Sequence, residues 1–219
     1  MAKVVVFGVG QWAQLAHFYL THDSPHEVIA FTVDRSYLGN PTFLGLPVVA
    51  FEEVESLYPP SEARMFIPMS FKRMNHARAE KYEDARSRGY ELISYVSSKA
   101  TVFPGFTCGD NCFILEDNTV QPFVRIGSNV TLWSGNHIGH DSTIGDHSFV
   151  SSHVVVSGHV QIGSNCFIGV NATLGNGITV AAFTLVGAGA LIMKDTTPHT
   201  VFAPSRTKPF QKTSDQIDL

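Results

Sequence analysis

The chain contains 219 residues with a formal net charge of −4 at pH 7, a length that suits one large domain or two small ones. Its 44% hydrophobic content excludes a disordered chain, and its small negative charge argues against nucleic acid or an anionic membrane surface as the partner. Only 16% of the residues are charged, against about 25% in an average soluble domain.

The missing charge is concentrated in the second half of the chain. Residues 1–100 hold 21 charged residues and 5 glycines, whereas residues 101–200 hold 8 charged residues and 13 glycines. This change in composition predicts a domain boundary near residues 97–101. We therefore predict a first domain over 1–97, a second domain over 98–200 and a C-terminal tail over 201–219.

The first domain alternates strand and helix patterns. In chain order, the predicted elements are a strand over 3–10 that ends in glycines, a helix over 11–22, a strand over 28–33, a turn-rich segment over 38–47, a short helix over 51–57, a strand over 65–68, a polar helix over 74–88 and a strand over 92–96. Alternation of this kind is typical of a parallel sheet with helices on both faces. We predict a small Rossmann-like α/β domain.

A glycine-rich turn joins the first strand to the first helix. Gly8 and Gly10, followed by Gln11 at the helix start, are similar to a dinucleotide-binding turn, in which a pyrophosphate rests on the helix N-terminus. Asp34 follows the second strand, where such folds place the acidic residue that binds a ribose. The domain is too short for a complete dinucleotide fold, so we expect a mononucleotide or a nucleotide-sugar. The alternative is that the glycines serve only close strand-to-helix packing.

A basic pair lies at the same predicted edge of the sheet. Lys72 and Arg73 follow the third strand, and the carboxyl ends of parallel strands form the ligand edge of such sheets. Their charges predict a contact with a diphosphate. A solvated helix start explains the pair equally well.

The second domain carries a repeat of six residues. Sixteen consecutive positions in steps of six are apolar: Val102, Cys108, Ile114, Val120, Ile126, Leu132, Ile138, Ile144, Val150, Val156, Ile162, Ile168, Leu174, Val180, Val186 and Ile192. A period of six suits short strands joined by tight turns and wound into a solenoid. The pattern resembles the hexapeptide-repeat proteins, whose left-handed parallel β-helix takes three hexads per coil, which implies slightly more than five coils.

Two further expectations concern this solenoid. Glycines that follow the apolar position, at Gly127, Gly139, Gly145, Gly163, Gly169 and Gly187, are predicted to adopt positive φ at tight corners. A lone stack of coils exposes extended β-faces, so burial by oligomerisation is expected, and the resemblance makes the oligomer a homotrimer.

The cellular compartment is predicted from the cysteines and from apolar segments. The chain has an odd number of cysteines, three, and starts MAKVVVFG without a basic and apolar leader. The longest apolar stretch, 180–193, is shorter than the roughly 20 residues of a membrane span. We expect a cytoplasmic protein with no membrane partner.

Five of the ten histidines lie between residues 137 and 159. Three of them, His147, His153 and His159, are six residues apart and therefore point from three different faces of one coil. Ligands stacked on one face would be eighteen residues apart, so we expect no metal site. His140 differs, because a carboxylate such as the adjacent Asp141 can fix the imidazole tautomer and leave its other nitrogen basic.

Nearly the whole chain resembles the bacterial sugar acyltransferases that acetylate UDP-4-amino-sugars, and the related sialic-acid O-acetyltransferases. The matching stretches are VDRSYLGNPTFLGLPVV (33–49), GHDSTIGDHSFVSSHVVVSGHVQIGSNCFIGVNATL (139–174) and VGAGALIMKD (186–195). The resemblance implies acetyl-CoA as co-substrate, a nucleotide-linked amino-sugar as acceptor, active sites between subunits, and a role in surface-glycan biosynthesis such as that of O-antigen.

The family's general base falls on His140, with Asp141 as its acidic partner. Its nucleotide contacts fall on the glycine turn and on Asp34, with Lys72 as a further expected contact. Arg35 stands where some members have a second acid.

The family's contacts with acetyl-CoA are largely backbone amides. They fall on Gly158, Val170 and Ala188. Phe149 stands where some members have a second active-site histidine, and the tail reads VFAPSRTK where many have a Gly-x-Pro-Ala turn.

These observations predict an acetyl-CoA-dependent N-acetyltransferase for a 4-amino-4,6-dideoxy sugar linked to UDP, GDP or dTDP. One alternative is O-acetylation of a sugar hydroxyl, for which the same base serves. The other is a non-catalytic scaffold that binds a nucleotide-sugar.

Overall fold

The computed structural model describes residues 1–205, 207–209, 211 and 213–217. Within these residues the α-helices are α1 (Gln11–His22), α2 (Val54–Leu57) and α3 (His76–Ser87). In the described part of the chain, no helix is both long and apolar enough to cross a bilayer. The strands of the first domain are β1 (Lys3–Phe7), β2 (Glu27–Val33), β3 (Thr42–Phe43), β4 (Leu46–Ala50) and β5 (Arg64–Phe66).

The first domain is a five-stranded sheet in the order β3-β4-β2-β1-β5, parallel except for β3. Alternate residues of β1 serve opposite faces, as the period of a strand requires. Val4 and Val6 belong to a core cluster with α1, whereas Val5 and Phe7 belong to a second cluster with α3. The predicted Rossmann-like arrangement, with helices on both faces, is confirmed.

Two predicted segments of this domain differ in the structure. The turn-rich segment 38–47 contains a hairpin between β3 and β4, closed by Leu44 and Gly45, both with positive φ (52° and 80°). The strand predicted over 92–96 is confirmed only for Tyr95–Val96, and these two residues pair with the second domain instead of the first. Leu92 makes only an isolated bridge with Met65, and the chain then leaves the sheet, because the N–H of Tyr95 donates instead to Cys112 O in the second domain.

The second domain consists of two-residue strands separated by corners. They are β6 (Tyr95–Val96), β7 (Thr101–Val102), β8 (Phe113–Ile114), β9 (Thr119–Val120), β10 (Arg125–Ile126), β11 (Thr131–Leu132), β12 (His137–Ile138), β13 (Thr143–Ile144), β14 (Phe149–Val150), β15 (Val155–Val156), β16 (Gln161–Ile162), β17 (Phe167–Ile168), β18 (Thr173–Leu174), β19 (Thr179–Val180), β20 (Leu185–Val186), β21 (Leu191–Ile192) and β22 (Val201–Phe202).

These strands form three parallel sheets, which we call faces 1, 2 and 3. Face 1 is β22-β20-β17-β14-β11-β8-β6, face 2 is β21-β18-β15-β12-β9-β7, and face 3 is β10-β13-β16-β19. Paired residues are 18 apart, as with Thr131 and Phe149, so one coil takes three hexads. From Ile114 to Ile192 the second residue of each strand, such as Leu132 or Val150, points into the buried core, whereas Val102 of β7 is 38% exposed. The predicted parallel β-helix is confirmed.

The glycines at the corners have a different role from the predicted one. In the solenoid, residues with positive φ lie three places after the inward residues from Val102 to Val186 and include Asn129, Asp141 and Asn165. The glycines that directly follow an inward residue do not have positive φ. They are required because a Cβ would meet the next coil: at Gly139 it would lie 2.5 Å from the carbonyl carbon of Ser157, and at Gly163 2.5 Å from the nitrogen of Ala182.

The left-handed corner position also explains the surplus of histidine. His147, His153 and His159 all occupy it, with φ of 62°, 56° and 58°. Asn, Asp and His are the side chains most enriched in this conformation after glycine. These three histidines lie at three different corners of the coil, so their six-residue spacing has a backbone cause.

The first domain packs on face 1. Phe113 and Leu115 of the solenoid share a core cluster with Leu20 of α1. A second contact comes from α3. Its Arg78 is fully buried and donates to Asn129 Oδ1 at 3.2 Å and to the carbonyl oxygen of His147 at 2.8 Å. Burial lowers the pKa of Arg78 to about 9, so its guanidinium is still charged at neutral pH.

The close stacking of coils gives a stability test. We expect Gly163→Ala to lower the free energy of unfolding by about 1–3 kcal/mol, because its Cβ would overlap backbone that cannot move alone. Gly39→Ala is the control, since Gly39 has open space and no positive φ; it should stay within about 0.5 kcal/mol of wild type. Urea unfolding followed by circular dichroism measures both, and equal stability of the two variants would contradict the stacking explanation.

Candidate active site

His140 and Asp141 lie at the corner between faces 2 and 3, after β12. Nδ1 of His140 is 2.8 Å from Oδ2 of Asp141, and the backbone N–H of His140 donates to Gln121 Oε1 at 2.9 Å. Both side chains are half exposed, at 51% and 42%. When Nδ1–H donates to the carboxylate, Nε2 carries the free lone pair, so the arrangement can accept a proton at Nε2.

Gly158 lies in the next coil, directly beside the imidazole of His140. A Cβ at this position would be 2.8 Å from Nε2 of His140, so a larger residue here would push the ring out of its present position. The N–H of Gly158 has no acceptor among the described residues. A free backbone donor therefore lies next to the basic nitrogen.

The structure also brings His159 to this corner. Its ring lies edge-on to that of His140 at a centroid distance of 4.9 Å. Ligand atoms of His140, Asp141 and His159 all lie within 4.8 Å of one another, so the three side chains could hold a metal ion. The expectation of no metal site rested on a spacing of 18 residues, whereas His140 and His159 are 19 apart. A spacing of 19 also joins neighbouring coils when the two side chains flank the same corner.

The three residues expected to hold acetyl-CoA lie on both sides of face 2. Val170 and Ala188 stack at the corner between faces 1 and 2, whereas Gly158 lies at the opposite corner with His140. Their N–H groups have no acceptor within the described residues. The face between them carries no charged outward residue and includes two exposed apolar ones, Val155 at 42% and Leu191 at 64% exposure.

A cavity of about 710 Å³ lies at the carboxyl ends of β1 and β2. Three residues predicted to bind a nucleotide, Gly8, Asp34 and Lys72, line it together, and Arg73 joins them. Gly8 has φ 107°, a conformation that favours glycine. The remaining lining residues are Phe7, Val9, Val33, Tyr37, Met69, Ala77, Glu80, Lys81 and Asp84.

Three other predicted nucleotide contacts lie outside this lining. Gly10 has an extended backbone with φ −104°, and no atom lies within 4 Å of where its Cβ would be. Neither its backbone nor its packing requires glycine, and α1 starts there without a side-chain cap. Gln11 lines a separate pocket. The guanidinium of Arg35 donates to Glu53 Oε1 at 2.6 Å instead of facing the cavity.

Lys81 is the cavity residue that the sequence analysis missed. Its ammonium lies 2.6 Å from Oδ1 of Asp34 and 4.3 Å from the ring centroid of Phe51. Its side chain is only 15% exposed. Asp34 therefore has a cationic partner within the protein. The chain gives no local signal for this pair, because it joins α3 to the end of β2.

The cavity and the His140 corner are on different sides of one chain. The first domain, which holds the cavity, packs on face 1. His140 lies between faces 2 and 3, at the corner opposite face 1. Within a single chain these two groups of residues are not brought together.

Two family models match the solenoid. Residues 124–158 match the bacterial transferase hexapeptide (six repeats), and residues 159–194 match the hexapeptide repeat of succinyl-transferase. These matches confirm the predicted hexapeptide repeat. No curated protein matches the chain by sequence.

Solved structures share the whole fold at low identity. The acetyltransferase domain of PglB from Neisseria gonorrhoeae FA1090 is 23% identical with a TM-score of 0.83, over 96% of this chain and 100% of that one. PerB from Caulobacter crescentus, in complex with CoA and GDP-perosamine, is 24% identical with a TM-score of 0.79, over 95% and 98%. WeeI from Acinetobacter baumannii AYE is 17% identical with a TM-score of 0.64, over 92% and 96%.

The contact between His140 and Asp141 predicts the tautomer of the imidazole. In ¹⁵N-edited NMR spectra, His140 should carry its proton on Nδ1 in the neutral form, and Asp141→Asn should shift the population toward Nε2–H. Asp117→Asn is the matched control, because Asp117 occupies the same left-handed corner conformation (φ 59°). An unchanged tautomer in Asp141→Asn would contradict the role given to this carboxylate.

Proposed function

We propose that the protein is an acetyl-CoA-dependent N-acetyltransferase that acylates the amino group of a nucleotide-linked amino-sugar. The observation that carries this proposal is the exposed His140–Asp141 pair, whose free Nε2 lies beside the unpaired N–H of Gly158. The PglB domain has been solved in complex with acetyl coenzyme A, and PerB with CoA and GDP-perosamine. Those complexes support the same class of substrates for this chain.

The proposed reaction is a direct acyl transfer. The amino nitrogen of the sugar attacks the thioester carbonyl carbon while Nε2 of His140 takes a proton from that nitrogen. The C–S bond then breaks, and the proton passes from His140 to the departing thiolate of CoA. Asp141 holds the ring in the tautomer that this step requires.

The unpaired N–H of Gly158 is placed to act on the same step. We assign it to the thioester oxygen, which gains negative charge in the tetrahedral intermediate. A preorganised donor of this kind contributes about 3 kcal/mol to transition-state stabilisation. Val170 and Ala188 offer further N–H groups, without an acceptor in the described part of the chain, across face 2 for the rest of acetyl-CoA.

The nucleotide is proposed to bind in the cavity of the first domain. Its diphosphate rests on the uncapped N-terminus of α1, with Lys72 and Arg73 as counter-charges. Gly10 leaves the backbone open to this approach. Asp34, which is paired with Lys81, is the acidic residue that we assign to the ribose hydroxyl groups.

We also propose a homotrimer in which each active site is shared between copies. The cavity and His140 lie on different sides of one chain, so a second copy must bring His140 to the nucleotide-sugar. Face 2 suits such a contact, because none of its outward residues is Lys, Arg, Asp or Glu and Leu191 is 64% exposed. Free thiols at all three cysteines suit a reducing compartment, so we place the reaction in the cytoplasm.

The general base is tested by substitution. His140→Ala should lower kcat for acetylation by about 10²- to 10⁴-fold while the protein folds and assembles normally. His199→Ala is the control, since His199 is exposed at another left-handed corner. The assay measures release of CoA thiol with UDP-, GDP- and dTDP-linked 4-amino-4,6-dideoxyglucose.

Three results would contradict this assignment. Wild-type rates in His140→Ala would show that His140 is not the general base. An O-acetylated product would show that the acceptor is a hydroxyl group and not an amine. Loss of activity on treatment with a chelator would indicate that a metal at His140, Asp141 and His159 is required.

The shared site is tested by mixing two inactive variants. His140→Ala keeps the cavity, and a Lys72→Glu, Arg73→Glu double variant keeps the base. Co-expression should restore activity at about one quarter of the sites, those formed between complementary copies. Sedimentation should give three times the 23.9 kDa mass of one chain. A monomer, or a mixture no more active than either variant alone, would exclude a site shared between copies.

A further inference from the structure

A second pocket lies between the start of α1 and face 1. It has a volume of about 520 Å³ and is lined by Gln11, Trp12, Gln14, Leu15, Phe18 and Trp133. The chain has two tryptophans, and both are in this pocket, with their rings edge to face at a centroid distance of 4.9 Å. The proposed nucleotide cavity and the His140 corner use neither of them.

The lining has the chemistry of a site for a neutral polar ring. Trp12, Trp133 and Phe18 offer aromatic surface, whose electron-rich faces pack against the C–H bonds of a pyranose. Gln11 and Gln14 are exposed, and their side-chain amides make no hydrogen bond with any described residue. Each amide can both donate to and accept from sugar hydroxyl groups. None of the six lining residues is charged, which disfavours a phosphate or a sugar acid.

This pocket is next to the nucleotide cavity. Val9 lines the cavity and Gln11 lines the pocket. Two residues of chain span at most about 7 Å, so the cavity and the pocket adjoin at the glycine turn, Gly8–Gly10. A diphosphate that rests on the start of α1 would carry its sugar directly into the pocket.

We propose that this pocket binds the hexose ring of the nucleotide-linked acceptor and that Trp12 and Trp133 select a deoxy-sugar. The inference rests on the proposed function. A hydroxyl pressed against the two indole rings loses its water without gaining a partner, whereas a methyl group at the same place packs favourably. The base and phosphates occupy the first cavity and leave the tryptophans untouched.

Tryptophan fluorescence tests the location, because both fluorophores are in the pocket. The full chain is titrated with 4-amino-4,6-dideoxyglucose linked to UDP, GDP or dTDP, and with UDP, GDP and dTDP alone. Calorimetry records binding independently. We expect the sugar conjugate that binds to change the emission, and its bare diphosphate to bind without this change. Trp12→Phe and Trp133→Phe should each keep part of the signal.

Substitution tests the specificity. Gln14→Ala should weaken binding of the dideoxy conjugate by about tenfold and leave binding of the bare diphosphate unchanged. Thr21→Ala, at an exposed position of α1 outside the pocket, is the matched control. The 4-amino-4-deoxyglucose conjugates, which differ from the dideoxy conjugates only by their 6-hydroxyl, should bind wild type about tenfold more weakly.

The outcomes separate this inference from the proposed function. A conjugate that binds without changing the emission, or 4-amino-4-deoxyglucose conjugates that bind as tightly as the dideoxy conjugates, would overturn the pocket assignment and leave acetyl transfer standing. Equal weakening of conjugate and diphosphate in Gln14→Ala would also overturn it. If none of the nucleotides binds, the proposed function itself fails.

Discussion

The close stacking of successive coils is the constraint on which the rest of the structure depends. Parallel strands in a sheet lie about 4.8 Å apart, so residues separated by 18 positions are in direct contact. At Gly139 and Gly163 the next coil leaves no space for a Cβ. The apolar hexads that supply this stacking continue without a slip from Val102 to Ile192.

The same stacking builds the candidate site. It puts Gly158 beside the imidazole of His140 and brings the ring of His159 against it. The corner requires a residue that tolerates positive φ, and Asp141 satisfies this demand while its carboxylate accepts from His140. One residue therefore meets a backbone requirement and an electrostatic one, on a scaffold rigid enough to hold both.

The junction between the domains rests on an unusual buried charge. The guanidinium of Arg78 donates to Asn129 and to backbone carbonyl oxygens of the solenoid, including that of His147. Carbonyl and amide dipoles replace the missing water, and burial lowers the pKa without neutralising the group. This contact, with the aromatic packing on face 1, fixes the first domain on that face. It thereby separates the cavity of the first domain from the same chain's His140.

The sequence by itself determined the repeat, the inward apolar residues, the bounds of α1 and the adjacency of His140 and Asp141, because each is a property of neighbouring residues or of a strict period. Other features only the tertiary structure decided. Lys81 meets Asp34 because α3 packs over the end of β2, and the chain at Tyr95 joins the solenoid because its N–H finds an acceptor there. The glycines' real role, room for the next coil, likewise depends on atoms about 18 residues away.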